Sequence, residues 1–171
     1  MSINLALLIL RVFIGLLIAG HGAQKLFGWF GGHGYTATIG FLRSKGFKPA
    51  SFWTFLGVAG ELGGGLLLAL GLLGPLGAIG VFASMLMAVV KFHWGQGLWA
   101  SAGGYEYPLV LTVAAFALGL LGSGSYSLDA LIGLSLPTTL LFWLGILASI
   151  IVDSIGVITS RQGTVQQQQV A

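Results

Sequence analysis

Apolar residues run through five long stretches of this chain, and the polar positions between them gather into short, turn-like clusters. A helix that crosses a bilayer core about 30 Å thick needs about 20 apolar residues. On that measure the first span is 5–27, interrupted by Arg11, His21 and Lys25. A loop over 28–51 opens with Gly31, Gly32 and Gly34, carries Arg43, Lys45 and Lys48, and ends past Pro49. Its middle, 36–42, suits a short helix lying in the interface. The second span, 52–73, holds Glu61 near its centre. Gly74-Pro75 marks a turn, so the third span, 76–92, should pack antiparallel to the second and close at His93 and Trp94. Proline is tolerated in a helix's first turn, which starts the fourth span, 107–121, at Glu106-Tyr107-Pro108. A turn-rich stretch, 122–129, leads to a second short interfacial helix at 130–134. The fifth span, 136–158, has Pro137 in its first turn and Asp153 near its far end.

The pattern predicts an all-α, polytopic membrane protein. A four-helix bundle occupies 1–132, a fifth transmembrane helix lies within 133–160, and a polar tail with four consecutive glutamines, expected to be disordered, fills 161–171. Composition supports lipid as the solvent. Only 6% of the residues are charged and 56% are hydrophobic, whereas a soluble domain carries roughly 25% charged residues. Too few charges remain to coat a water-facing surface. The expected location is a cell inner or plasma membrane, multi-pass, with membrane lipids and partner subunits as neighbours. A net charge of +3 from so few groups gives no footing for nucleic acid. There is no cysteine, which removes disulfides, thiolate metal sites, iron–sulfur ligation and c-type haem attachment. Met1-Ser2-Ile3-Asn4 enters the first apolar run without the charges or small-residue site of a cleavable signal peptide.

Ionisable residues inside a membrane are costly and usually face the bundle interior. Let side one be the leaflet of the N-terminus and side two the other. At about 1.5 Å per residue, His21 and Lys25 fall near side two, as do His93 and Glu106, with Glu61 roughly 15 Å deeper. Four helices would then line one polar funnel open on side two, with Glu61 at its floor. Arg11 enters from side one but shares a helix face with His21 and Lys25, within about 80°. Glu61 is flanked by Gly57, Gly60 and Gly64, and Gly60-x-x-x-Gly64 is a spacing that lets helix backbones approach. It is therefore expected at a helix contact, either neutral or paired with Arg11, Lys25 or a histidine. The glycine stripes, including Gly77, Gly80, Ser84 and Ala88, are read first as packing. Trp29, Trp53, Trp94, Trp99, Tyr105 and Tyr107 are read as interfacial residues.

The order Leu10-Arg11-Val12, Gly20-His21-Gly22-x-x-Lys25-Leu26-Phe27-Gly28, then Glu61-Leu62-Gly63-Gly64-Gly65-Leu66 before the Gly71/Gly74-Pro75 turn resembles the DoxX membrane proteins. His93, Gly103-Gly104-x-Glu106-x-Pro108-Leu109 and Gly122-x-Gly124-x-Tyr126-Ser127-Leu128-Asp129 extend the resemblance to about residue 132. The fifth span departs from the usual four-helix form. The resemblance implies a membrane subunit of a redox system, as in thiosulfate:quinone oxidoreductase or membrane thiol systems. It also implies a first loop outside the cytoplasm. The basic residues collected on side two (Lys25, Arg43, Lys45, Lys48, Lys91 and Arg161) point the other way under the positive-inside rule, so both orientations stay open.

Three functions fit. The first is an oxidoreductase subunit binding a quinone or small sulfur compound in the funnel. Glu61, His21, His93 and Glu106 would then be the candidate catalytic, proton-relaying groups, and Lys25 and Arg11 the candidate substrate-binding cations. No metal site is expected, and haem between His21 and His93 is disfavoured by their different depths. The second is a non-catalytic accessory or assembly subunit docking through the fifth helix. The third is a small-solute or proton carrier titrating at Glu61, although no paired repeats or broken helices of the transporter kind occur.

Overall fold

A computed structural model describes residues 2–170, with side chains described for 3–161. Its described residues are helical or in turns. Helix α1 (Ser2–Phe27) runs from side one to side two. The short α2 (Gly34–Ser44) lies over its end, with Thr38 Oγ1 donating to the Lys25 carbonyl. The chain then returns through α3 (Ala50–Leu70), goes back through α4 (Leu76–Gln96) and returns again through α5 (Glu106–Leu121). A short α6 (Leu128–Ile132) caps side one, and α7 (Thr138–Val170) crosses once more. Among the described residues, α1, α3, α4 and α7 are long and apolar enough to cross a membrane, and α5 is a shorter apolar helix. The tail expected to be disordered over 161–171 is instead helical through Val170, where it continues α7.

Several boundaries differ from those read in the sequence, for local reasons. The second span stops at Leu70 because Gly71 turns left-handed (φ 62°), and the N–H groups of Gly71 and Leu72 return to the carbonyls of Leu68 and Leu67. That arrangement ends a helix by satisfying its last carbonyls. The third span outlasts 92, passing through a π turn at Ala88–His93 and a tight turn at Trp94–Gln96. A second π turn, Ala59–Gly63, sits mid-way along α3 and contains Glu61.

Small residues set the helix spacing. A Cβ on Gly65 of α3 would stand 2.6 Å from Gly15 O and Ala19 N of α1. One on Gly64 would stand 3.1 Å from Gly77 O and Gly80 Cα of α4. Such close backbones gain dispersion contacts that side chains would block. The core between them includes Ile18, Val81, Ala115 and Phe142. Helix α7 leans mainly on α4, with Gly145 against Ile79. The outer faces are covered by exposed apolar side chains such as Phe13, Phe55, Val113, Leu121, Leu144 and Ile158. A chain in water would bury these, but a lipid solvent has no reason to exclude them.

Candidate functional site

Glu61 is drawn out of the regular helix by its π turn, and single π turns within α-helices recur at functional sites. The residue is 3% exposed. Its Oε1 accepts from Lys25 Nζ of α1, forming an ion pair in which the lysine side chain is 43% exposed and the carboxylate 4%. Oε2 is buried and has no hydrogen-bond partner among the described residues. Leaving a buried acceptor unmade costs about 1–3 kcal/mol, a cost that no other side chain among the described residues relieves.

The space beside it is a cavity of about 720 Å³ between α3, α4 and α7, continuing under α2. Its walls are mostly apolar: Phe41, Phe47, Trp53 and Phe92 toward side two, Leu67, Leu76 and Ile79 toward side one. The polar groups on it are few, namely Lys25, Glu61, His93, Asp153 and four hydroxyl-bearing or small polar positions such as Ser84 and Ser149. Two lining glycines, Gly57 and Gly63, face open space, with nothing within 4 Å of where a Cβ would stand. Two contacts bound this space where α7 packs against α3 and the α3–α4 turn. Gly156 abuts Trp53 and Met87 toward side two, and Gly74 abuts Thr138 toward side one.

The single funnel expected from the sequence is divided. Lys25 and Glu61 meet and His93 joins them on the cavity wall, but His21 and Glu106 are not among its lining residues. His21 Nδ1 donates to Gln24 Oε1 (3.1 Å) and its Nε2 is left to accept from Tyr107 Oη (3.1 Å). These partners tie α1 to α5 through His21, which lies outside the cavity lining. Glu106 Oε2 accepts from the Ala100 amide (2.9 Å), and His93 Nδ1 donates to the Gly103 carbonyl (2.8 Å). Both therefore tie down the loop 97–105. Arg11, expected to help hold substrate, stays on side one. It is 2% exposed, and Nη2 donates to the Tyr126 carbonyl (2.6 Å). Its guanidinium occupies the volume that a side chain on Gly71 would need. Asp129, within electrostatic reach, accepts from the Leu73 and Gly74 amides (2.9 and 2.6 Å) and fixes the α3–α4 turn. Leu73 is itself left-handed there (φ 60°), a conformation costly for a bulky residue.

Asp153, near the far end of the fifth span, lies outside the candidate set that the sequence suggests. Its Oδ2 is buried and unpartnered on the same cavity wall. The stripe Gly145, Ser149, Asp153, Gly156 on an otherwise apolar helix is the signal that points it inward. The described residues contain no group of three or more His, Asp or Glu side chains placed to hold a metal ion.

No curated protein and no solved structure matches the chain. The DoxX family model does, over residues 6–94, just over half of the 171. That stretch runs from α1 to the π turn of α4 and includes Arg11, His21, Lys25, Glu61 and His93, while α7 and its share of the cavity lie beyond it. With several helices able to span a bilayer and this match, the chain is a multi-pass integral membrane protein belonging to the DoxX family.

Proposed function

We propose that this protein binds a lipophilic redox carrier with an oxygen-bearing ring, a quinone, in the cavity between α3, α4 and α7, as the membrane subunit of a redox system. One observation carries the reading: a cavity of about 720 Å³ with apolar walls holds a buried carboxylate oxygen, Glu61 Oε2, that no protein group satisfies. Sites for small molecules commonly measure about 300–1,000 Å³ and combine apolar walls with a few placed polar groups. The donor set also fits. Aromatic rings at Phe41, Phe47, Trp53 and Phe92 suit a flat ring, and Glu61 Oε2 suits the hydroxyl that the ring carries in its reduced form.

A bound quinone supplies two-electron, two-proton chemistry. The chain's own part is to bind and to handle protons. Glu61 Oε2 is the atom through which a proton would pass between the ring oxygen and water, and Lys25, half-exposed at the other oxygen, stabilises the carboxylate whenever that proton is away. The lysine's exposure also gives the pair a route to water on side two. With no cysteine in the chain, the electrons in this reading come from a partner subunit or from a small sulfur compound as the second substrate.

Native mass spectrometry of gently extracted protein tests the reading. The wild type should retain a quinone-type lipid at about one per chain, and Glu61→Gln should retain about a tenth as much, roughly the value of one lost charged hydrogen bond. Retention of phospholipid alone by the wild type would overturn it.

A further inference from the structure

Asp153 takes no part in the Lys25–Glu61 pair, yet it reaches the same cavity from the helix that the family match does not cover. Glu61 Oε2 and Asp153 Oδ2 are the two buried carboxylate oxygens without a partner among the described residues, and both belong to residues lining this one space. The two carboxyls come from opposite walls, α3 and α7. Glu61 has a cation on its other oxygen, whereas Asp153 has no salt bridge among the described residues.

We propose that Asp153 is a second ligand-binding group, and that the cavity is built for an amphiphile whose polar end carries hydroxyl donors, the hydroquinone class. This deepens the reading above and rests on it. An ionised carboxyl only accepts hydrogen bonds, whereas a neutral one, the form burial without a cation favours, also donates. A hydroxyl on the ligand both donates and accepts, so it satisfies Asp153 in either form, while a ligand offering only acceptors leaves the ionised form unsatisfied. Ser149 and Gly145, one and two turns before Asp153 on α7, also line the space and leave its carboxyl uncrowded from that direction.

The test uses full-length protein in nanodiscs and two probes, a short-chain alkylhydroquinone and its dimethyl ether, which has the same shape without donors. Binding is read by titration calorimetry. The wild type should prefer the hydroquinone by about tenfold or more, the worth of one good hydrogen bond. Asp153→Leu should lower hydroquinone affinity about tenfold and leave the ether unchanged. If the leucine variant does not fold, Asp153→Asn keeps the shape and should still lose at least about threefold on the hydroquinone alone. Unchanged hydroquinone affinity, or a parallel fall for both probes, would overturn the role of Asp153. Gly57→Leu, which fills the cavity, separates the two levels. It should abolish binding of both probes. If it does so while the Asp153 variants bind normally, only this inference fails; if it has no effect, the cavity itself is not the binding site.

Discussion

At the side-one end of the bundle, Arg11 is 2% exposed beside a space of about 10 Å³; toward side two, Glu61 is 3% exposed beside about 720 Å³. Both residues are buried and both leave polar atoms without a protein partner: Nε and Nη1 of the arginine, Oε2 of the glutamate. The difference is room. About 10 Å³ admits roughly one water, which would serve the arginine's remaining donors. Around Arg11 the backbone closes in, with Gly71, Tyr126 and the Asp129-held turn all in contact or close by. Around Glu61 the wall recedes at Gly57 and Gly63. Burial of charge alone therefore does not mark a site. Burial beside unfilled, apolar-walled space does.

The contrast can be broken at either end. The largest effect is expected from Arg11→Ala, which empties a packed, buried position and leaves the Tyr126 carbonyl without its donor. A loss of about 3–5 kcal/mol, as for large-to-small substitutions at packed positions, should appear as a sharp fall in thermal stability in detergent. Gly64→Leu should come next, at about 1–3 kcal/mol, because α3 and α4 would have to separate. Asp129→Ala frees two turn amides and should cost about 2 kcal/mol by the same melting assay. Gly57→Leu, one turn from the packing glycines, should not destabilise and would gain up to about 1 kcal/mol of helix propensity, while removing ligand retention. The smallest effect on folding is expected from Glu61→Gln. With Lys25 nearly half in solvent, the ion pair is screened, and the melting temperature should shift by the equivalent of less than about 1 kcal/mol. A large fall there would make Glu61 a structural residue like Arg11.

Much of this was legible in the sequence. Apolar run length located the spans, and depth arithmetic put Lys25, His93 and Glu61 on one side of the bundle, where the structure has them. What failed was azimuth. A rise of 1.5 Å per residue fixes height along a helix, but the direction a residue faces depends on which neighbour its helix packs against. Arg11, His21 and Lys25 share a face of α1, yet their partners are Tyr126, Tyr107 and Glu61, on three different segments. The π turn at Ala59–Gly63 shifts the phase of α3 mid-span, and no side-chain pattern announces it. The glycines show the same limit. Gly57, Gly60 and Gly64 look alike in a string of letters, but Gly60 and Gly64 press on α4 while Gly57 opens onto the cavity. Asp153 was visible as a charge in an apolar helix; its meaning required knowing that α7 leans on α4 beside α3.

The cavity between α3 and α7 lies at the depth of the hydrocarbon, bounded by Trp53–Gly156 above and Gly74–Thr138 below. A lipophilic ligand of the proposed kind partitions into the bilayer before it binds, so its occupancy would follow its mole fraction among the lipids, not its concentration in water, and lengthening an alkyl chain would raise apparent potency through partitioning alone. Solubilising amphiphiles share that two-dimensional phase and would compete for the same apolar space, which makes the choice of extraction medium part of the chemistry of this protein.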